Sequence, residues 1–295
     1  MFVRALWLTS LAAAAICVAG CRSDDSPPSR APESAAPAPE AGESSTPAEA
    51  AVVTVVARDF AFEAPSEIPA GLTTFRLVNR GPSLHHIQLL KLEEGKTADD
   101  FRAALKAGGP FPRWARSAGG PNPPEAGDTA STTQAVEPGN YVMVCFVPSA
   151  DGVPHLMKGM VRPLTVTPAS RGSQAEPRAD IVMKLVDFDF ELSHPLTAGR
   201  HTIRIENAGA QPHEVAIVRM KPGKTPEDFT KWAEKPVGPA PGTMFGGVSA
   251  ILPGSSAFVD VDLPAGDYLL ICFVPESKDR KPHFAHGMAK VIKVG

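Results

Sequence analysis

The chain has 295 residues, a net charge of −3, 43% hydrophobic and 21% charged residues. It carries no block of basic residues, which argues against nucleic acid as a partner. Four cysteines are spread over that length, so their placement, rather than their number, carries the information.

In chain order, residues 1–21 read as an export signal. Arg4 supplies a short positive start, and Ala5 to Ala19 form an apolar run of signal length that is too short for a comfortable membrane span. The run ends Val18-Ala19-Gly20-Cys21, which resembles a bacterial lipobox. That resemblance implies cleavage before Cys21 and a lipid on its thiol, which would tether the protein to a membrane of the bacterial envelope, facing the periplasm or the exterior. An ordinary secreted protein, cut after a small residue, is the alternative. In either case Cys17 leaves with the signal. If Cys21 holds lipid, Cys145 and Cys272 are the thiols that remain. Residues 22–50 are Pro, Ala, Ser and Glu with almost no large apolar side chain, a composition that cannot bury a core and predicts a disordered tether.

The rest of the chain repeats itself. Asp59-Phe60-Ala61-Phe62 recurs as Asp187-Phe188-Asp189-Phe190, and Asn79-Arg80-Gly81 as Asn207-Ala208-Gly209. Gly139-Asn140-Tyr141 recurs as Gly266-Asp267-Tyr268. Two units of about 115 residues each are of ordinary domain size. The boundaries predicted are 51–168 for the first domain, 169–179 for a linker rich in Pro, Ser and charge, and 180–295 for the second. Short runs of Val, Thr and aromatics, separated by Gly and Pro, predict strands at 52–57, 73–79, 131–136, 141–147 and 161–167, with counterparts in the second unit. Thr97-Ala98-Asp99-Asp100 and Thr225-Pro226-Glu227-Asp228 each place a capping threonine three residues before an acid and predict one short helix per unit. The fold class is all-β, as two tandem sandwiches.

The chemistry concentrates at the end of each unit. CFVPSADGVPHLMKGM holds Cys145, His155 and Met160, and CFVPESKDRKPHFAHGM holds Cys272, His283 and Met288. His85 and His213, 128 positions apart, add one histidine per unit after the Asn-x-Gly turn. A soft thiolate, two imidazoles and a weak thioether suit copper. A Cys145–Cys272 disulfide is the alternative in an oxidising compartment, but it would join equivalent sites of separate domains and leave the His and Met spacing unexplained. His286 competes with His283, which is preferred because it keeps the four-residue gap to methionine seen at His155 and Met160. His86 should point to the opposite face of the strand from His85. His194 and His201 read as surface residues, and Met143 and Met157 as core packing.

Each unit resembles a cupredoxin, the Greek-key sandwich that carries type 1 blue copper. The resemblance rests on Gly139, Tyr141 and Cys145, on Gly266, Tyr268 and Cys272, and on the two His-to-Met gaps. Pro212-His213-Glu214-Val215 is similar to the plastocyanin-type Pro-His-Asn-Val, and the long Cys-to-His loop is similar to that of copper nitrite reductase. It implies one type 1 copper per domain, held by His85, Cys145, His155 and Met160 and by His213, Cys272, His283 and Met288. It also implies single-electron transfer with redox proteins of the envelope. Copper storage or delivery, a structural sandwich with vestigial sites, and a two-domain oxidase or nitrite reductase are the rival functions. The last would need further histidines beside the cysteines, where Val144, Phe146, Ile271 and Phe273 stand instead.

Overall fold

A computed structural model describes residues 49–168 and 174–295. The export signal, the lipobox Cys21 and nearly all of the tether lie outside the described residues, as does the stretch 169–173 of the expected linker.

The first half runs β1 (Ala51–Arg58), β2 (Ala61–Glu63), β3 (Glu67–Pro69), β4 (Gly71–Asn79), β5 (Gln88–Leu92), α1 (Ala98–Lys106), β6 (Ala115–Ser117), β7 (Thr129–Val136), β8 (Gly139–Val144) and β9 (Val161–Thr167). The second half repeats the plan with β10 (Ile181–Val186), β11 (Asp189–Leu192), β12 (Gly199–Asn207), β13 (His213–Met220), α2 (Pro226–Glu234), β14 (Gly242–Ile251), β15 (Ser256–Leu263), β16 (Gly266–Ile271) and β17 (Ala289–Val294). The fold is all-β, with two cupredoxin-like sandwiches.

Period-two alternation builds each core. Val53, Val55 and Ala57 of β1 turn inward with Phe75 and Leu77 of β4. Ile181, Met183 and Leu185 do the same in the second half with Ile203 and Ile205. Both helices begin at complete capping boxes, Thr97 with Asp100 and Thr225 with Asp228, and each buries one phenylalanine, Phe101 or Phe229, on the outer face of a sheet.

The sheets do not stop at the boundary between the halves. β2-β1-β4-β7 continues as β15-β12-β10-β11 into one eight-stranded sheet. The joining pair is Thr132 opposite Val259 and Thr133 opposite Phe258. Thr132 and Val259 are equivalent positions, since Arg76 pairs with Ser131 as Arg204 pairs with Phe258. A second contact sets Pro121 opposite Val248, again an equivalent pair. The halves therefore meet about a pseudo-two-fold axis, an isologous contact within one chain. Its polar groups are buried and bonded: Gln88 Nε2 donates to Ala250 O at 3.0 Å, and Thr132 Oγ1 to Gly247 O at 3.1 Å.

The strand expected to carry His85 and His86 begins only at Gln88, so both histidines lie on the loop before β5, whereas His213 opens β13; β2, β3, β6, β11 and β14 were not among the sequence expectations. The expected strand at 141–147 ends at Val144, so that Cys145 opens a loop. Met157, expected in the core, is 52% exposed, because it sits on the outer side of a short 3-10 turn whose inner side holds His155 and Leu156. Met143 is fully buried. Among the described residues no helix is long and apolar enough to cross a membrane.

Candidate metal centres

The histidine of the first half of each unit is fixed by the turn before it. Asn79, fully buried, donates to Ser83 O at 2.9 Å and accepts from Gly81 N at 3.1 Å. Asn207 repeats both bonds, to Gln211 O at 2.9 Å and from Gly209 N at 3.0 Å. The side-chain amide thus closes the loop that delivers His85 or His213 into the core. The glycines are there for space. A Cβ on Gly81 would lie 2.7 Å from His85 Nε2 and 2.8 Å from Asp59 Oδ1, and one on Gly209 would be as close to His213 and Asp187.

The other ligands come from the loop after β8 or β16. Isolated pairings of Pro148 with Pro154 and of Pro275 with Pro282 close its base. Leu156 N then donates to Cys145 O at 2.8 Å and Met160 N to His155 O at 3.1 Å. Phe284 N and Met288 N make the same two bonds in the second half, at 3.0 Å each. Gly159 (φ 101°) and Gly287 (φ 108°) end the 3-10 turns in the left-handed region and turn the chain toward the methionine.

The result is two buried clusters, His85–Cys145–His155 and His213–Cys272–His283, with their donor atoms within 4.8 Å of one another. His155 Nδ1 lies 3.5 Å from Cys145 Sγ and 3.1 Å from His85 Nδ1. In the second cluster, His283 Nδ1 is 3.4 Å from Cys272 Sγ and 3.0 Å from His213 Nδ1. Atoms at these separations can share one coordination sphere with metal–ligand bonds of about 2.0–2.3 Å. Met160 is fully buried in the same apolar cluster as Cys145, and Met288 in that of Cys272. Both cysteines are free, which leaves the disulfide alternative without support. His283 occupies the cluster, while His286 is exposed and bonds Asp279 at 3.2 Å.

Burial sets the protonation states. It pushes the Cys145 thiol up to about 12, against opposing amides at His86 and Val147, and the Cys272 thiol well above its usual range. It pulls the His155 and His283 imidazoles down to about 4, and lowers His85 as well. His85, His155 and His283 are therefore neutral imidazoles, and each thiol must give up its proton to bind a metal. The donor set, two nitrogens and one buried sulfur with a thioether behind them, fits copper.

Two further residues per centre act on the ligands, and the sequence showed them only as a repeat landmark. Asp59 Oδ1 lies 2.8 Å from His85 Nε2, and Asp187 Oδ1 2.7 Å from His213 Nε2. Each carboxylate accepts the Nε2 proton and leaves Nδ1 free to face the cluster, as in carboxylate–histidine–metal triads. The next residue, Phe60 or Phe188, has φ of 64° or 70° and sets its ring edge-on to His155 or His283, with centroids 5.2 or 5.3 Å apart. The Asp-Phe pair at that turn thus contacts both imidazoles of its centre.

His86 and Glu214, the residues after His85 and His213, share a task. His86 Nε2 accepts the Phe146 N–H at 2.9 Å, and Glu214 Oε1 accepts the Phe273 N–H at 2.9 Å. Each steadies the residue that follows a cysteine. The expectation that His86 points away from His85 misses this contact.

The sandwiches with these two clusters are cupredoxin-like. No family model matches the chain, and no curated protein matches it. Solved structures do. Reduced auracyanin from the photosynthetic bacterium Roseiflexus castenholzii is 21% identical, with 41% of this chain and all of that one covered and a TM-score of 0.28. Auracyanin B is 25% identical over 42% of this chain and 91% of its own, with a TM-score of 0.28. A blue copper oxidase from Nitrosomonas europaea is 15% identical over 83% of this chain and 86% of its own, with a TM-score of 0.27. Those scores are low, and the ligand clusters themselves carry the functional reading.

Proposed function

We propose that this protein is a copper-binding electron carrier with one type 1 centre in each half. The first is held by His85, Cys145, His155 and Met160, and the second by His213, Cys272, His283 and Met288. The observation that carries the reading is the double occurrence of a fully buried thiol facing two imidazole Nδ1 atoms within one 4.8 Å group. Bound copper would supply a one-electron couple, tuned by the thiolate and the weak axial thioether. The protein supplies a rigid frame. One histidine arrives on a closed turn and three ligands on a tied loop, so little has to move between oxidation states.

Storage or delivery is the second reading. It would require ligands open to a donor or acceptor protein, whereas all eight are buried. The oxidase and reductase reading fares less well at the cysteine neighbours. Val144 and Ile271 pack in apolar clusters beneath the helices, and Phe146 and Phe273 lie against them. We further place the protein in the bacterial envelope, anchored through lipid on Cys21, where it exchanges electrons with other redox proteins. Mass spectrometry of the mature N-terminus tests the anchor.

Reconstitution of the reduced protein with Cu(II) tests the centres. An intense visible thiolate-to-copper band and about two coppers per chain are expected. Cys145→Ser should remove one coloured centre and leave the other. A colourless product with both thiols still reduced would overturn the reading.

A further inference from the structure

The pseudo-two-fold contact brings the two centres onto opposite sides of one buried side chain, Asn122, which is 2% exposed. Its Nδ2 donates to Val215 O at 2.9 Å and to Val248 O at 3.0 Å. Its Oδ1 accepts from Ser249 Oγ at 3.1 Å and faces His86 Nδ1 at 3.4 Å. Two donors and two acceptor positions are the whole capacity of an asparagine, so the residue is saturated.

The His86 ring is oriented by its other nitrogen. Nε2 accepts the Phe146 N–H and is therefore unprotonated, so in the neutral ring Nδ1 carries the proton and donates to Asn122. On the far side, Val215 O lies one peptide beyond Glu214, whose N–H donates to Cys272 Sγ at 3.5 Å. A continuous series of covalent and hydrogen bonds therefore runs from Cys145 through the Phe146 N–H, His86, Asn122, Val215 and Glu214 to the sulfur of Cys272.

Symmetry alone would give two such side-chain links, and among the described residues there is one. The position equivalent to His86 is Glu214, and the position equivalent to Asn122 is Ser249, whose hydroxyl reaches no further than Asn122 itself. Both departures from the repeat fall at the one place where the centres are linked.

We propose that His86 and Asn122 form the bridge through which the two copper centres exchange an electron within the molecule. The exchange oxidises one centre by one electron as it reduces the other, with no net proton movement. The proposal rests on the copper reading above. It makes the protein a pair of communicating one-electron sites rather than two carriers joined end to end.

Two substitutions at His86 separate its bond to Asn122 from its bond to Phe146. In His86→Gln the side-chain oxygen replaces Nε2 and keeps the Phe146 N–H, but the donation to Asn122 is gone. In His86→Asn the amide replaces Nδ1 and keeps Asn122, but the Phe146 contact is gone. After pulse reduction of the copper-loaded protein by about one electron per molecule, wild type should show a concentration-independent phase in which the centres equilibrate. His86→Gln should slow that phase, whereas His86→Asn, joined to the ligand His85 through the backbone and to Asn122 through its amide, should keep it, and both should retain the absorption bands of the two centres. If His86→Gln fails to fold, Asn122→Ser, which copies Ser249 and removes the donation to Val215 O, carries the test. A readout independent of turnover comes from the fully Cu(I), diamagnetic protein. There, ¹⁵N spectra should show His86 protonated at Nδ1, with a proton slow to exchange with water. An undiminished exchange phase in His86→Gln with both bands intact, or an Nε2-protonated His86, would overturn the bridge. A wild-type protein that forms no coloured centre would instead overturn the copper reading.

Discussion

The carboxylates behind His85 and His213 give the sharpest quantitative expectation. Consider Asp187 in a Cys145→Ser background, where only the second centre is coloured. Its Oδ1 holds His213 Nε2 at 2.7 Å and also accepts from Ala210 N at 3.0 Å. The imidazole is fully buried, whereas the aspartate side chain is 39% exposed. Asp187→Ala removes the acceptor and the charge together. The ring is then free to turn or to change tautomer, and Cu(II) affinity should fall about ten- to hundredfold, which corresponds to about 1.4–2.8 kcal/mol. Asp187→Asn keeps an oxygen that can accept the Nε2 proton and loses only the charge. Because that charge is partly in water, its loss should cost about fivefold or less. Competition with a chelator of known affinity, read at the thiolate-to-copper band, measures both. An alanine variant that binds as tightly as its parent would refute the positioning role, and equal losses in the two variants would show that charge rather than the hydrogen bond is what matters.

Because burial raises both cysteine thiols far above neutrality in the metal-free protein, Cys145 to about 12, each copper bound should release one proton. Affinity should then rise about tenfold per pH unit around neutrality, which chelator competition at two pH values checks. His201, held 2.5 Å from Asp180 Oδ2, has its pKa raised above the ordinary 6.5 by that bond. Its stabilisation is full below pH 6.5 and fades as pH rises through the higher folded-state value. His201→Gln should therefore lower stability to urea at pH 5.5 but not at pH 9, by less than about 1 kcal/mol, because the carboxylate of the pair is half exposed. Gly247 has φ of 125°, and a Cβ there would lie 2.0 Å from Val215 O, the acceptor of Asn122. Gly247→Ala should cost at least about 1–3 kcal/mol in denaturant unfolding.

The sandwich halves and both helices were legible because local patterns encode them. Alternating Val and Phe define β1 and β4, and a threonine three residues before an acid marks each helix start. The residues of the two clusters could be named because the duplication displays each set twice at one spacing, and repetition separates a ligand set from stray histidines. The Asp-Phe pairs were visible as text but not as chemistry. Their effect depends on a left-handed phenylalanine that turns the aspartate to one imidazole and its own ring to the other, and no spacing rule encodes that. Asn122 was invisible for a different reason. It sits in a Pro-rich stretch without periodicity, and its four partners lie on segments up to 127 residues away. Met157 misled because proximity in sequence to His155 says nothing about which side of a one-turn helix faces the core.

The strands that join the halves pair each position with its own counterpart, as Thr132 does with Val259. A homodimer of either half could be built on the same contact, but every substitution in it would be made twice, once in each copy. Carrying both copies on one chain lifts that restriction. One copy can acquire a side chain that its twin lacks, and the assembly gains a direction. Gene fusion here does more than hold two domains at high effective concentration: it permits heterogeneity at an interface whose geometry remains that of identical partners.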